Sequence, residues 1–180
     1  MNNLSRKQIK PVRERLNGSQ RYMGGVQIMD KELFFSSKVQ TWETPIDLFN
    51  KLNNEFNFTL DVCADEDNHK CDKYFTKEID GLKQEWNGVC WMNPPYGRDI
   101  PKWIEKAYKE SLHGATVVCL IPARTDTRYW HDYIFPYAKE IRFIKGRLKF
   151  GFSENSAPFP SAIIVFKKDG KQIITTYGGD

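Results

Sequence analysis

The chain has 180 residues, of which 40% are hydrophobic and 14% aromatic, with a formal net charge of +4. That length fits one domain able to bury roughly 70% of its unfolded surface, and the apolar content is sufficient for a real core. No apolar stretch approaches a membrane span and no signal-peptide apolar region opens the chain, so membrane-spanning and secreted classes are excluded and a soluble cytoplasmic protein is expected.

Residues 1–35 carry Arg6, Lys7, Lys10, Arg13, Arg15 and Arg21 against a single acid, Glu14, before Asp30, amid Asn, Ser, Gln and Gly. Such a stretch reads as a flexible leader, and equally as a basic arm able to touch phosphates. Residues 36–180 are expected to form the folded domain. Thr44-Pro45 predicts a helix start, with Thr44 as N-cap, Pro45 at the first helical position and Asp47 in the first turn. Leu48, Phe49, Leu52 and Phe56 then share one helical face.

Phe58 to Ala64 is a β-rich run interrupted by Asp61. A carboxylate there is costly to bury unless it is paired. A ligand cation is one such partner, and a capping role at the strand end is the alternative. Residues 65–88 are polar and irregular, with the acidic cluster Asp65-Glu66-Asp67 and a turn signal at Asp80-Gly81.

Val89 to Met92 forms an apolar strand that stops at Asn93-Pro94-Pro95-Tyr96-Gly97. Two prolines have fixed φ and no N–H, so no ladder continues through them. The amide of Asn93 and the ring of Tyr96 are thus expected on a stiff backbone at a strand's carboxyl end, where open α/β sheets bind ligands. The Asn93 amide and the Pro94 carbonyl offer two acceptors suited to a planar NH2 group, and Tyr96 offers a face for a flat base. Asparagine is no general base, so its service would be orientation and electrostatic stabilisation of a developing positive charge. A tight turn with a buried asparagine is the plain structural alternative.

Pro101 opens a predicted helix with Trp103, Ile104, Ala107, Tyr108, Ser111 and Leu112 on one stripe, ended by Gly114. Ala115 to Ile121 reads as a central parallel strand stopped by Pro122. Asp126 to Phe135 is a shorter helix, with Tyr129, Trp130, Tyr133 and Ile134 inward and His131 at the surface. Glu140 to Ile144 is a strand, followed by Lys145 to Phe152, where basic residues interleave with aromatics. That pattern suits phosphates plus a stacked base, and also a hairpin with solvated lysines. Ser161 to Phe166 is the last firm strand, and the tail from Lys167 has room for a short edge strand. Strands alternating with helices predict an α/β protein, a mixed and mostly parallel sheet covered on both faces. Cys63, Cys71, Cys90 and Cys119 form no C-x-x-C pair and read as buried free thiols. A zinc site from Cys63, His69 and Cys71 lacks ligand spacing and a second pair.

Asn93-Pro94-Pro95-Tyr96 resembles the catalytic motif of amino-methyltransferases that use S-adenosylmethionine. Around it stand Trp42-Glu43-Thr44-Pro45, Leu60 to Ala64, Asp80-Gly81-Leu82, Trp86, Gly146 to Phe150 and Ala157 to Ser161. In that order they resemble the bacteriophage-type Dam family of DNA N6-adenine methyltransferases, from about Gln40 to Lys167. The resemblance implies a Rossmann-like methyltransferase fold, S-adenosylmethionine as cofactor, DNA as partner and no metal. It implies that Asn93, Pro94, Pro95 and Tyr96 are catalytic, with Tyr96, Arg147, Lys149 and Phe150 touching the substrate. Trp42, Thr44, Pro45, Asp61, Cys63 and Asp80 would hold the cofactor: the helix start near its carboxylate, Asp61 at its ammonium, Asp80 at its adenine. No glycine lies between Gly25 and Gly81, so the Gly-rich loop of methyltransferases at large is absent. The central motif is shared with enzymes acting on RNA adenine or protein glutamine, and a catalytically silent nucleic-acid-binding module of the same fold is a further alternative. With no inserted recognition domain in view, low sequence specificity is expected.

Overall fold

The computed structural model describes residues 42–151 and 155–178, together with the backbone of two short strands before them, β1 (Tyr22–Met23) and β2 (Val26–Gln27), which pair antiparallel. The expected flexible leader otherwise lies outside the described residues, as do the end of the basic aromatic loop at residue 152 and the last two residues. The chain separates into residues 1–36 and 37–180, and the second unit holds the main sheet and every predicted site residue.

In chain order that unit contains α1 (Ile46–Phe56), β3 (Leu60–Asp61), a 3₁₀ turn (Gly81–Lys83), β4 (Val89–Met92) and α2 (Ile100–Leu112). There follow β5 (Thr116–Pro122), a π-helical turn (Trp130–Ile134), α3 (Phe135–Tyr137), β6 (Glu140–Ile144), β7 (Ser161–Phe166) and β8 (Ile173–Tyr177). One six-stranded sheet runs β3-β4-β5-β7-β6-β8. β3, β4 and β5 are parallel, β7 is antiparallel to both β5 and β6, and β8 is parallel to β6. This is the expected mixed α/β sheet, with one correction: β5 is parallel on one side only. Among the described residues no crossover helix lies between β6 and β7, and β7 returns in the opposite direction.

The period-2 alternation of the strands divides the core between two faces. Cys90, Met92, Val117, Cys119, Ile121 and Ile164 face one way, against Ile104 and Ala107 of α2 and Trp130 and Ile134 of the π-helical turn. Trp91, Val118, Leu120, Ile163 and Val165 face the other way, against Leu48, Phe49 and Leu52 of α1. Each such large side chain, fully buried, contributes about 1.5–3 kcal/mol. Because α1 and α2 cover opposite faces, a crevice is left at the carboxyl ends of β3 and β4.

Several local expectations are corrected. Helix α1 begins at Ile46 with Pro45 in the cap position, and no side chain caps it; the Thr44 hydroxyl is engaged elsewhere. The run from Phe58 to Ala64 is a regular strand only at Leu60–Asp61, because loop residues 73–75 bond the next backbone groups: Phe75 N–H donates to Asp61 O and Ala64 N–H to Phe75 O, both at 2.9 Å. Leu112 is 51% exposed, since it stands roughly 100° beyond Ser111 around α2. The helix expected from Asp126 starts later, where Thr127 closes a turn on Arg124 by a 2.7 Å hydroxyl bond. Pro122 ends β5 as its last paired residue, opposite Ser161. β6 and β7 occupy the predicted spans, and the tail supplies β8 as an edge strand.

Candidate active site

Strands β3, β4, β5 and β6 all end at the same edge of the sheet, and the predicted site residues gather there. A cavity of about 650 Å³ opens between the segment after β3, the segment after β4, the first turns of α2 and the stretch preceding α1. Its size suits a small organic ligand, for which pockets run about 300–1,000 Å³.

Asn93 follows β4 directly. Its Nδ2 donates to the backbone carbonyl of Trp42 and to the Thr44 hydroxyl at 3.0 Å. A carbonyl only accepts, so the nitrogen must face Trp42 and the oxygen must face away. The Oδ1 atom so directed is buried and, among the described residues, has no hydrogen-bond partner. A buried unpartnered acceptor is costly, about 1–3 kcal/mol, and unlike the other three such side-chain atoms, on Tyr129, Trp130 and Ser161, this one belongs to a residue that lines the cavity. Among the described residues none donates to the neighbouring Pro94 carbonyl. Pro95 lines the cavity beside Asn93, whereas Pro94 is buried and does not.

Tyr96 is anchored on the next strand, its hydroxyl donating to Leu120 O at 3.2 Å. Its ring belongs to a four-ring cluster with Trp42, Phe150 and Phe159. Trp42 lies nearly parallel to it at 6.4 Å and 26°, while Phe150 stands edge-on at 6.0 Å and 90°. Phe159 meets both Trp42 and Tyr96 by its edge, at 5.1 and 5.5 Å. Tyr96 and Phe150 therefore do not form the parallel sandwich that two opposing stacking faces would require. Trp42 is the one ring of this cluster that also lines the cavity.

Asp61 ends β3 and is 3% exposed. Its oxygens accept from the backbone N–H of Cys63 at 3.3 Å and of Lys70 at 3.1 Å. Burial nevertheless lifts its carboxyl from 3.8 to about 6, against those two bonds and the charge of Lys70. Asp61 thus caps loop N–H groups, as the capping reading expected, and it also lines the cavity with acceptor capacity left over. Burial, then the charge of Asp61, holds the Cys63 thiol well above its ordinary value, so Cys63 lines the cavity as a neutral group.

Asp80 also reaches the cavity, in left-handed backbone conformation at φ +57°. Its carboxylate accepts from Leu82 N–H at 3.3 Å and pairs with Lys83 at 2.9 Å, and Lys83 holds it below the usual carboxylate range. The turn after it packs so closely that a Cβ on Gly81 would stand 2.1 Å from the Val62 carbonyl. Only glycine fits there, and Trp86 fastens the turn by donating Nε1–H to Gly81 O at 2.8 Å. Pro45 lies outside the cavity lining.

Arg147 and Lys149 are exposed, and their loop is tied at its end by Gly151 N–H to Glu43 O at 2.9 Å. Two exposed cations at the same sheet edge were not foreseen: Arg98, just past Gly97, and Arg124, whose guanidinium lies 6.0 Å from the Phe159 ring centre. Among the described residues no carboxylate pairs with Arg98, Arg124, Arg147 or Lys149. Sequence reasoning also missed Lys70, Lys77, Lys102 and Trp103 as cavity lining; Trp103 was assigned only to the core stripe. The cationic residues have no periodic signature, while the glycine, proline and aromatic context of Arg98 could have drawn attention to it. His69 stacks on Tyr74 at 4.1 Å, and among the described residues no three His, Cys, Asp or Glu side chains come together to hold a metal. No helix among them is long and apolar enough to cross a membrane.

A family profile described as DNA N-6-adenine-methyltransferase (Dam) matches residues 34–177. The DNA N-6-adenine-methyltransferase of Haemophilus phage HP1 (strain HP1c1) is 37% identical over 120 residues, 65% of this chain and 69% of that protein. The DNA N-6-adenine-methyltransferase of Escherichia phage T1 is 33% identical over 111 residues, 59% of this chain and 45% of that protein. A putative methyltransferase of Escherichia coli (strain K12), YfdM, is 38% identical over 63 residues, 31% of this chain and 69% of that protein.

Proposed function

The chain belongs to the DNA N-6-adenine-methyltransferase (Dam) family, and from that premise we propose that it methylates adenine N6 in DNA at Asn93, with S-adenosylmethionine in the adjoining cavity. The observation that carries the assignment is the buried, unpartnered Oδ1 of Asn93, held in place by the bonds of its own Nδ2. The residues present fit the cofactor. Asp61 supplies a buried carboxylate for an ammonium, Lys77, with no ion pair among the described residues, supplies positive charge for a carboxylate beside the paired Lys70–Glu43 and Lys102–Asp99, and Trp103 and Leu82 supply apolar surface.

When bound, the cofactor supplies an activated methyl on sulfonium sulfur, which leaves as a thioether carrying the S–C bonding pair. The chain's part is to orient the acceptor. Oδ1 of Asn93 and the Pro94 carbonyl take the two N–H groups of the amine, pulling its lone pair out of conjugation with the ring. As the N–C bond forms, positive charge grows on nitrogen, and these two preorganised oxygens stabilise it. The surplus N6 proton then passes to solvent. Alignment of amine and methyl within the crevice accounts for several kcal/mol of the barrier by positioning alone. Tyr96 and the rings around it offer the surface on which the base rests, after leaving the duplex stack at a cost of a few kcal/mol. Arg98, Arg124, Arg147 and Lys149, exposed after strands that end at the same sheet edge, carry charge of the sign that phosphates require.

The test is incubation of the purified chain with unmethylated DNA and S-adenosylmethionine, followed by digestion and mass spectrometry. N6-methyladenine is expected from the wild type, with none above background from Asn93→Ala. Methylation confined to cytosine, or none on DNA with methylation of RNA or glutamine peptides instead, would refute the reading.

A further inference from the structure

We infer that Thr44 is a positioning residue for the Asn93 amide, and that the Trp42 to Thr44 segment couples the cofactor cavity to the methyl-accepting site. The inference deepens the functional reading above and rests on it. The Asn93 amide nitrogen has two N–H groups and two acceptors, the Trp42 carbonyl and the Thr44 hydroxyl at 3.0 Å. Both donors are spent, and rotation of the amide by half a turn would set Oδ1 against the Trp42 carbonyl, which cannot donate, so that bond would be lost and the Thr44 hydroxyl would have to turn from acceptor to donor. Of the two acceptors only the hydroxyl belongs to a side chain.

Thr44 is buried and heads no hydrogen-bonded cap of α1, so its hydroxyl is free for this service. Residues 42 and 44 stand two apart in the stretch that precedes α1, and both reach the same nitrogen. Both also line the cavity. A ligand seated there would therefore rest on the very backbone that aims Oδ1, and the aim would be firmest when the cavity is filled.

Thr44→Val keeps the shape and removes the acceptor, while Thr44→Ser keeps the acceptor and removes the methyl. In the full chain, Thr44→Val should lower the single-turnover rate of methyl transfer about tenfold, leaving the Kd for S-adenosylhomocysteine within about twofold. Thr44→Ser should restore the rate. In an Asn93→Ala background Thr44→Val should have no further effect, because it acts only through that amide. The Asn93 side-chain amide, observed by nitrogen-15 NMR, should exchange faster with solvent in Thr44→Val and not in Thr44→Ser.

Loss of cofactor affinity in proportion to rate would make Thr44 a cofactor ligand and overturn the inference. So would failure of serine to rescue, or an equal effect without Asn93. Unchanged amide exchange in Thr44→Val would overturn it whether or not the protein methylates DNA, whereas a wild type that leaves adenine unmodified would refute only the functional reading.

Discussion

Asp61 gives the most quantitative test of the cofactor site. Its carboxyl is lifted from 3.8 to about 6, chiefly by burial. Because the folded value lies above the unfolded one, its contribution to stability is complete below the unfolded value and is lost as pH rises through the folded one. Holding the carboxylate ionised at neutral pH thus costs the ligand-free protein about 3 kcal/mol, which a bound ammonium would partly recover. Proton and ammonium then compete for one group. The Kd for S-adenosylhomocysteine, which carries the ammonium without the sulfonium, should be nearly constant above about pH 7 and weaken about tenfold between pH 7 and pH 5. Near pH 6 calorimetry in buffers of different ionisation enthalpy should detect release of about half a proton per ligand bound. The charge of His69 also reaches Asp61, so Asp61→Asn is the control. It should bind more weakly at pH 7 and lose the pH dependence. A flat wild-type profile from pH 7 to pH 5, or an equal slope in Asp61→Asn, would remove Asp61 from the cofactor site.

Asn93→Ala should reduce turnover by about 3–4 kcal/mol, a factor of roughly several hundred, while calorimetric cofactor affinity stays within a few-fold; near-wild-type turnover would dismiss the catalytic role. Replacing Arg98 and Arg124, or Arg147 and Lys149, by glutamine should weaken DNA binding and reduce the slope of log K against log salt by about 2 for each pair; an unaltered slope in both would make these ordinary solvated charges. Methylation should extend to many adenines with one or two neighbouring bases at most governing choice, because the described residues between β3 and β4 and after β7 supply no long helix or ribbon for a groove. Mapping N6-methyladenine after exhaustive treatment of a large genome checks this, and confinement to a motif of four or more defined bases would contradict it.

The sheet and both core faces were legible because periodicity records burial: β6 and β7 fall on their predicted spans, and the alternation in β5 separates Val117, Cys119 and Ile121 from Val118 and Leu120. The central motif was legible for another reason, since two prolines after a buried strand leave few backbone options. What the sequence hid were relations between distant segments. Nothing local tells that Thr44 bonds an amide 49 positions away instead of capping its own helix. The direction of β7 was hidden as well, being set by a loop closure and not by any strand residue. Arg98 and Arg124 carry no signature apart from charge, and their clustering depends on four strands ending together.

β3 is two residues long, lies at the margin of the sheet and has β4 as its one full partner, with Tyr74 bridging Asp61 on the open side. The acid that faces the cavity therefore sits where the ladder is thinnest and local opening is cheapest. A ligand bound to the closed form supplies free energy at that seam, so occupancy would slow amide hydrogen exchange there well before it altered the heart of the sheet around β5. Under the proposed function, a cofactor seated beside this short margin strand would complete the fold at the place where it is weakest.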